Sequence, residues 1–190
     1  TFGGSIATNQ LAANGNTIAP GDVISGGDGQ DTLKISIAGT HTGGGKTLSA
    51  VTLSGVEEIQ VNNFETSAND DTIDMSLMSG VTAVGLTSSS ATGDTVFSNV
   101  PNIVDINHKS GGGNLTVTYS TALGVTTGTQ SQVVNVSGLT STATLRVDGV
   151  ENITINGGAV KSTFALTADA TNHKSFTFTG ATPTTISSAL

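Results

Sequence analysis

The residues from Gly26 to Leu33 combine glycines and aspartates at a spacing that suits a metal-binding turn. They read Gly26-Gly27-Asp28-Gly29-Gln30-Asp31-Thr32-Leu33 and fit the pattern Gly-Gly-x-Gly-x-Asp-x-apolar. Glycines let the backbone turn tightly, and aspartates add hard anionic oxygens, which Ca²⁺ accepts in loose geometry at about six to eight positions. The sequence therefore predicts a calcium site formed by Asp28, Asp31 and backbone oxygens of Gly26 and Gly29, with a metal-free turn as the alternative.

Four further acidic residues are candidate calcium ligands. Asp22 precedes the turn and would face it if neighbouring coils of the chain stack on each other. Glu57 follows Gly55-Val56 and either binds Ca²⁺ or caps a turn through backbone N–H groups, the structural role being favoured. Asp71 and Asp74 belong to the acidic run 69–74, which predicts either a second calcium site or solvated acidic side chains at a loop tip.

The charge and the cysteine content exclude several other functions. The formal charge is −8 with only six Lys or Arg, so we expect no binding to nucleic acid and none to anionic lipid. No apolar run is long enough to span a membrane, so we expect no direct membrane insertion. The chain has no Cys, which removes disulfides and thiolate sites.

No combination of residues in the sequence favours catalysis. His41, His108 and His173 lie in separate polar segments without zinc-ligand spacing, and His108-Lys109 and His173-Lys174 are interpreted as solvent-facing turns. No Gly-x-Ser-x-Gly elbow is present, and a chain with no Trp and one Tyr lacks the aromatic residues of a sugar-cleaving cleft. We therefore predict that the protein is not an enzyme.

Short strands with alternating apolar residues follow the glycine turn. Leu33, Ile35 and Ile37 alternate with polar residues, which is typical of a strand with one buried face. Similar patterns, separated by Gly, Asn, Asp, Ser or Thr, predict further strands at 51–53, 59–61, 73–75, 84–86, 103–106, 115–119, 134–136, 145–147, 153–155, 164–166 and 176–178. The chain is therefore predicted to be all-β.

A weak internal repeat suggests how the strands are organised. Residues 51–62, around Gly55-Val56-Glu57, align with residues 145–156, around Gly149-Val150-Glu151, and the strand at 33–37 aligns with the one at 115–119. Such repetition indicates similar layers stacked on one axis. We predict a lead-in or capping segment over 1–22, a first repeat with the calcium turn over 23–108, and a second repeat without it over 109–190.

These observations favour an irregular right-handed parallel β-solenoid, similar to a β-helix or β-roll. Parallel solenoid strands bury one face, and the short turns between them require Gly, Asn and Asp. The alternative is a tandem pair of antiparallel β-sandwich modules, which would form if the strands paired as hairpins.

Two stretches resemble known families. Residues Gly26–Leu33 resemble the nonapeptide unit of RTX proteins, whose repeats wind into calcium-filled parallel β-rolls. A wider stretch, with Gly21–Gly27, Asp31–Leu33 and Leu53–Ile59, is similar to the self-assembly region of Caulobacter-type bacterial surface-layer (S-layer) proteins. Since this chain has one complete nonapeptide, the resemblance implies one isolated calcium site.

The resemblance also implies a function. It predicts a structural, self-assembling segment of a secreted, cell-surface S-layer protein, stabilised by Ca²⁺ and exported by type I secretion. Its partners would be copies of itself in a two-dimensional lattice, with cell-surface polysaccharide bound through parts outside this chain. The alternatives are a repeat module of a type-I-secreted adhesin and the non-catalytic β-roll of a secreted hydrolase.

Overall fold

The protein is a stack of parallel β-strands wound into coils. The computed structural model describes residues 2–8, 17–40, 44–121, 129–167 and 173–187. In chain order its strands are β1 Phe2–Thr8, β2 Val23–Ser25, β3 Thr32–Gly39, β4 Thr47–Leu48, β5 Thr52–Ser54, β6 Glu58–Glu65, β7 Asn69–Asp74, β8 Ala83–Ser89, β9 Gly93–Val100, β10 Asp105–Gly111, β11 Leu115–Tyr119, β12 Ser131–Leu139, β13 Thr144–Val147, β14 Asn152–Gly157, β15 Ser162–Thr167, β16 Ser175–Gly180 and β17 Thr184–Ile186.

The described strands form three sheets, of which two run along the stack. Sheet A has eight strands in the order β1-β3-β6-β8-β10-β12-β14-β16, sheet C has seven in the order β17-β15-β13-β11-β9-β7-β4, and sheet B pairs β2 with β5. The chain therefore leaves a strand of sheet A, forms a strand of sheet C and returns to sheet A one layer further on. We call each such circuit a coil. The β6–β7 corner is residues 66–68, which link β6 to β7, together with the strand ends on either side of them.

Every named strand pair in the described chain is parallel, which confirms the predicted β-solenoid. The alternative of antiparallel sandwich modules is wrong, because no hairpin pairing joins these strands. The right-handed sense of the coil stays a prediction, based on the strong preference of parallel crossovers for that hand.

The core is built by rows of apolar side chains that stack from coil to coil. In sheet A, Leu33 pairs with Ile59, Ile59 with Val84, and Val84 with Ile106, all of them buried. The predicted alternation in β3 is confirmed, since Leu33, Ile35 and Ile37 are buried. Burying each such side chain stabilises the fold by about 1.5–3 kcal/mol relative to exposure, which favours a register that keeps the rows aligned.

The two predicted repeats form one continuous stack. Residues 108 and 109, where the predicted boundary falls, lie inside β10, and sheets A and C run through both repeats. Part of the repeat alignment is wrong, because residues 33–37 belong to sheet A and residues 115–119 to sheet C. The predicted lead-in segment contributes β1, which pairs with β3 at the edge of sheet A.

Candidate calcium turn and buried corner

The glycine turn, residues Gly26–Asp31, links β2 of sheet B to β3 of sheet A. The backbone N–H of Gly26 donates to the carbonyl oxygen of Ser54 in the next coil at 2.9 Å. A Cβ atom built on Gly26 would lie only 1.6 Å from the carbonyl oxygen of Gly55, so no larger residue fits there. The turn is therefore packed directly on the Gly55 corner of the neighbouring coil.

Two glycines give this turn its shape. Gly27 has a φ of 84° and Gly29 a φ of 111°, which are backbone angles that residues other than glycine rarely adopt. Asp28 lies between them and is exposed, whereas Asp31 is half-buried next to β3. The turn thus presents two carboxylates on a backbone that only this glycine pattern permits.

Glu57 caps a turn by accepting a backbone N–H group, which is one of the two roles predicted for it. Its Oε2 accepts the backbone N–H of Asp31 at 2.7 Å, and the carbonyl oxygen of Asp31 accepts the N–H groups of Glu57 and Glu58 at 3.1 Å each. Glu151, its counterpart in the repeat alignment, accepts the backbone N–H of Gln130 at 2.8 Å in the same way. Both Gly-Val-Glu corners therefore fasten one coil to the preceding coil.

Asp22 closes a turn of its own. Its Oδ2 accepts the backbone N–H of Ala19 at 2.9 Å, and its carbonyl oxygen accepts the N–H of Thr52 from the next coil at 2.9 Å. Its carboxylate therefore helps to define the bend before β2, where the side chain is half-buried.

Asp71 and Asp74 lie on opposite faces of β7. Asp71 is 1% exposed and faces the core, where its carboxylate accepts the backbone N–H of Lys46 at 2.8 Å. Asp74 faces outward and accepts Asn99 Nδ2 and the backbone N–H of Ser76, both at 3.0 Å. The hydrogen bond from Asn99 lowers the pKa of Asp74 below its usual range, against the opposing effect of desolvation. The structure therefore does not bring these two carboxylates together.

A calcium ion in the glycine turn would occupy a shallow site, because Asp28 is exposed. Across the described ranges, no three or more His, Asp or Glu side chains converge into a set that could hold a metal ion. Asp28 and Asp31 would therefore supply the carboxylates, and backbone oxygens and water would have to complete the coordination. Gly26 and Gly29 remain the predicted source of such backbone oxygens.

Comparison with known proteins does not place the chain in a family. No family model, curated protein or solved structure gives a significant match to it. In the part of the chain that the structure describes, no helix has the length and hydropathy needed to cross a membrane.

The sequence analysis missed a polar cluster inside the β6–β7 corner. Asn63, Glu65, Asp71 and Thr95 are at most 1% exposed, although all four are polar or charged. Asn63 Nδ2 donates to Asp71 Oδ2 at 3.1 Å, to the carbonyl oxygen of Asp94 at 2.9 Å and to Thr95 Oγ1 at 3.2 Å. A signal was present, because the alternation that buries Ile59 and Val61 continues along β6 to Asn63 and Glu65.

Proposed function

We propose that this chain is a structural, non-catalytic segment of a secreted bacterial surface-layer protein. Copies of the chain assemble side by side into a lattice on the cell surface, and Ca²⁺ bound at the glycine turn stiffens the first coils. Contact with cell-surface polysaccharide is made by parts outside this chain. Type I secretion is proposed from the resemblance to RTX proteins alone.

The observation that carries this proposal is the position of the glycine turn at a corner of a parallel β-solenoid. Its Gly-Gly-x-Gly-x-Asp pattern lies between β2 and β3, each of which pairs in parallel with a strand of the next coil, and it is packed against the Gly55 corner of that coil. An ion held there by Asp28 and Asp31 would offset the repulsion of two nearby carboxylates and tie the turn to β3.

The overall charge and the shape of the stack also support the proposal. A chain with a formal charge of −8 repels copies of itself in the absence of cations, so divalent ions would favour close contact between copies. A stack of coils also exposes long, regular outer sheet faces, which suit repeated lateral contacts.

Calcium titration tests the proposal. We expect the wild-type melting temperature to rise by about 5–10 °C at a hundred-fold excess of Ca²⁺ over Kd, because binding to the native state adds about 2.7 kcal/mol. In isothermal titration calorimetry, the double variant Asp28→Asn, Asp31→Asn should bind one Ca²⁺ fewer than the wild type.

Asp105→Asn provides the matched control, since Asp105 is exposed on sheet A away from the turn. It should bind as many ions as the wild type. If the double variant binds as many ions as the wild type, or if a chelator leaves the wild-type melting temperature unchanged, the calcium turn is wrong.

Electron microscopy tests the lattice separately. Ordered sheets that form with CaCl2 and disperse with EDTA would support assembly of copies of this chain. Binding to cells or glycans without ordered sheets would instead favour an adhesin module. A catalytic domain in the same polypeptide would favour the β-roll of a secreted hydrolase.

A further inference from the structure

The interior of the β6–β7 corner holds a carboxylate whose hydrogen bonding is incomplete. Glu65 is 0% exposed. Its Oε1 accepts the backbone N–H and the hydroxyl of Ser67, in the middle of the corner. Its Oε2 is buried and has no hydrogen-bond partner. A buried carboxylate oxygen without a partner is unfavourable, because it has lost its hydration without gaining a hydrogen bond, so a ligand other than the protein's own donors is expected to satisfy it.

Asn63 links the backbone of Glu65 to a second buried carboxylate, that of Asp71. The Oδ1 of Asn63 accepts the backbone N–H of Glu65 at 3.1 Å, and its Nδ2 donates to Asp71 Oδ2 at 3.1 Å. Asp71 also accepts the backbone N–H of Lys46 at 2.8 Å. One amide side chain therefore fixes the end of β6 to a buried carboxylate of β7.

The groups around this corner offer oxygen atoms as metal ligands. The hydroxyls of Ser90 and Thr92, from the next coil, approach the carbonyl oxygen of Glu65 at 2.7 Å and 3.0 Å. Carboxylate, hydroxyl and carbonyl oxygens suit a hard cation, and the irregular corner suits Ca²⁺ better than the strict octahedron of Mg²⁺. Zinc would prefer nitrogen or sulfur ligands, which these side chains do not offer.

We propose that the β6–β7 corner binds one Ca²⁺ through the carboxylates of Glu65 and Asp71. The ion satisfies Glu65 Oε2 and neutralises two acidic groups inside the stack, with backbone or hydroxyl oxygens of the corner completing its coordination. This site is separate from the glycine turn and does not depend on the proposed surface-layer function.

Calorimetry with CaCl2 on single variants tests the site. Glu65→Gln keeps the size of the side chain and removes its charge, so it should bind one Ca²⁺ fewer than the wild type. Glu151→Gln is the matched control, because Glu151 is also a buried corner glutamate at 5% exposure, but its Oε2 already accepts the N–H of Gln130. It should bind as many ions as the wild type.

The variants of the glycine turn separate the two sites. Asp28→Asn with Asp31→Asn should keep the ion of the β6–β7 corner, and adding Glu65→Gln to it should remove that ion as well. If Glu65→Gln folds and binds as many ions as the wild type, the corner site is wrong whatever the glycine turn does.

A measurement on the wild type covers the case in which Glu65→Gln does not fold. Tb³⁺ can replace Ca²⁺, and its luminescence lifetimes in H2O and D2O report the number of bound waters. An ion in the buried corner should keep about one water or none, whereas an ion in the exposed glycine turn should keep several. If every bound Tb³⁺ carries several waters, no ion occupies the corner.

Discussion

His108 is the residue whose environment differs most from its sequence-based interpretation. Predicted as part of a solvent-facing turn, it lies inside β10 and is 0% exposed, in the inward row between Leu86 and Val136. Its Nε2 donates to the carbonyl oxygen of Gly113 at 3.0 Å, while Nδ1 is buried without a partner. Burial lowers the pKa of His108 to about 4, because a second proton would create a buried charge and an N–H without an acceptor.

This environment predicts acid sensitivity. The pKa of an unfolded His is about 6.5, so the unfolded chain takes up a proton first, and the contribution of His108 to stability is lost as the pH falls from about 6.5 to about 4. The loss should be about 3 kcal/mol. We expect urea unfolding to show that the stability difference between the wild type and His108→Gln, which cannot titrate, shifts against the wild type between pH 7 and pH 4.5. A difference that stays constant over this range would show that His108 has the same pKa in the folded and unfolded states.

At the scale of elements, the Gly-Val-Glu corner is a hydrogen-bonded link between coils that occurs twice in the described chain. The carbonyl oxygen of Glu151 accepts the backbone N–H groups of Lys174 and Ser175, at 2.7 Å and 3.1 Å, and that of Glu57 accepts those of Thr82 and Ala83 in the same way. Each of these glutamates therefore binds the preceding coil through its side chain and the following coil through its backbone. The corner links three consecutive layers of the stack.

Removing one such side chain should weaken the stack measurably. Glu151→Ala removes the buried carboxylate that accepts the backbone N–H of the half-buried Gln130, so we expect a loss of about 1–3 kcal/mol in the free energy of unfolding. Glu151→Gln retains a side-chain oxygen and should lose clearly less in the same urea titration. Equal losses in the two variants would mean that the carboxylate charge, not the hydrogen bond, stabilises the corner.

Local patterns predicted the strands well, because burial of one face imposes a period of two on the sequence. Thus β3, β6 and β14 were predicted from alternation alone. The strand β9 was missed, since Gly93-Asp94-Thr95 resembles a turn, although Thr95 packs inside the polar corner at 1% exposure. The repeat alignment placed 33–37 with 115–119 because alternation shows that a strand has a buried face and does not show which sheet it joins.

The candidate sites divide in the same way. The glycine turn could be predicted because its conformation depends on glycines within a few residues of each other. In the β6–β7 corner, the inward direction of Asn63 and Glu65 could be predicted from the alternation of β6. The hydrogen bond from Asn63 to Asp71 could not, because it joins two strands that meet only when the coil closes. An acidic run such as Asn69–Asp74 looks solvated until the alternation of β7 is known, which turns Asp71 inward and Asp74 outward.

At the scale of the whole molecule, each coil is held mainly by the coils next to it. In sheet A, the row of Val134 and Ile155 ends at Phe178, which is 53% exposed, and most of β16 is exposed as well. β16 and β17 are the last strands of sheets A and C, so they have a paired strand on one side only among the described residues. In such a stack, stability is close to a sum of layer terms and contacts between neighbours.

This architecture predicts a gradient of local stability along the stack. We expect hydrogen exchange measured by mass spectrometry to be slowest in β6 to β12, which have layers on both sides, and fastest in β16 and β17. Phe164→Ala removes a fully buried ring from β15, so it should cost about 3–5 kcal/mol locally and speed exchange in β13 to β17. Exchange in β3 and β6 should change little, because several layers separate them from the cavity. If the exchange rate instead rose uniformly from β3 to β17, the stack would unfold as one cooperative unit. A calcium ion bound in the first coils would then stabilise the last coils equally.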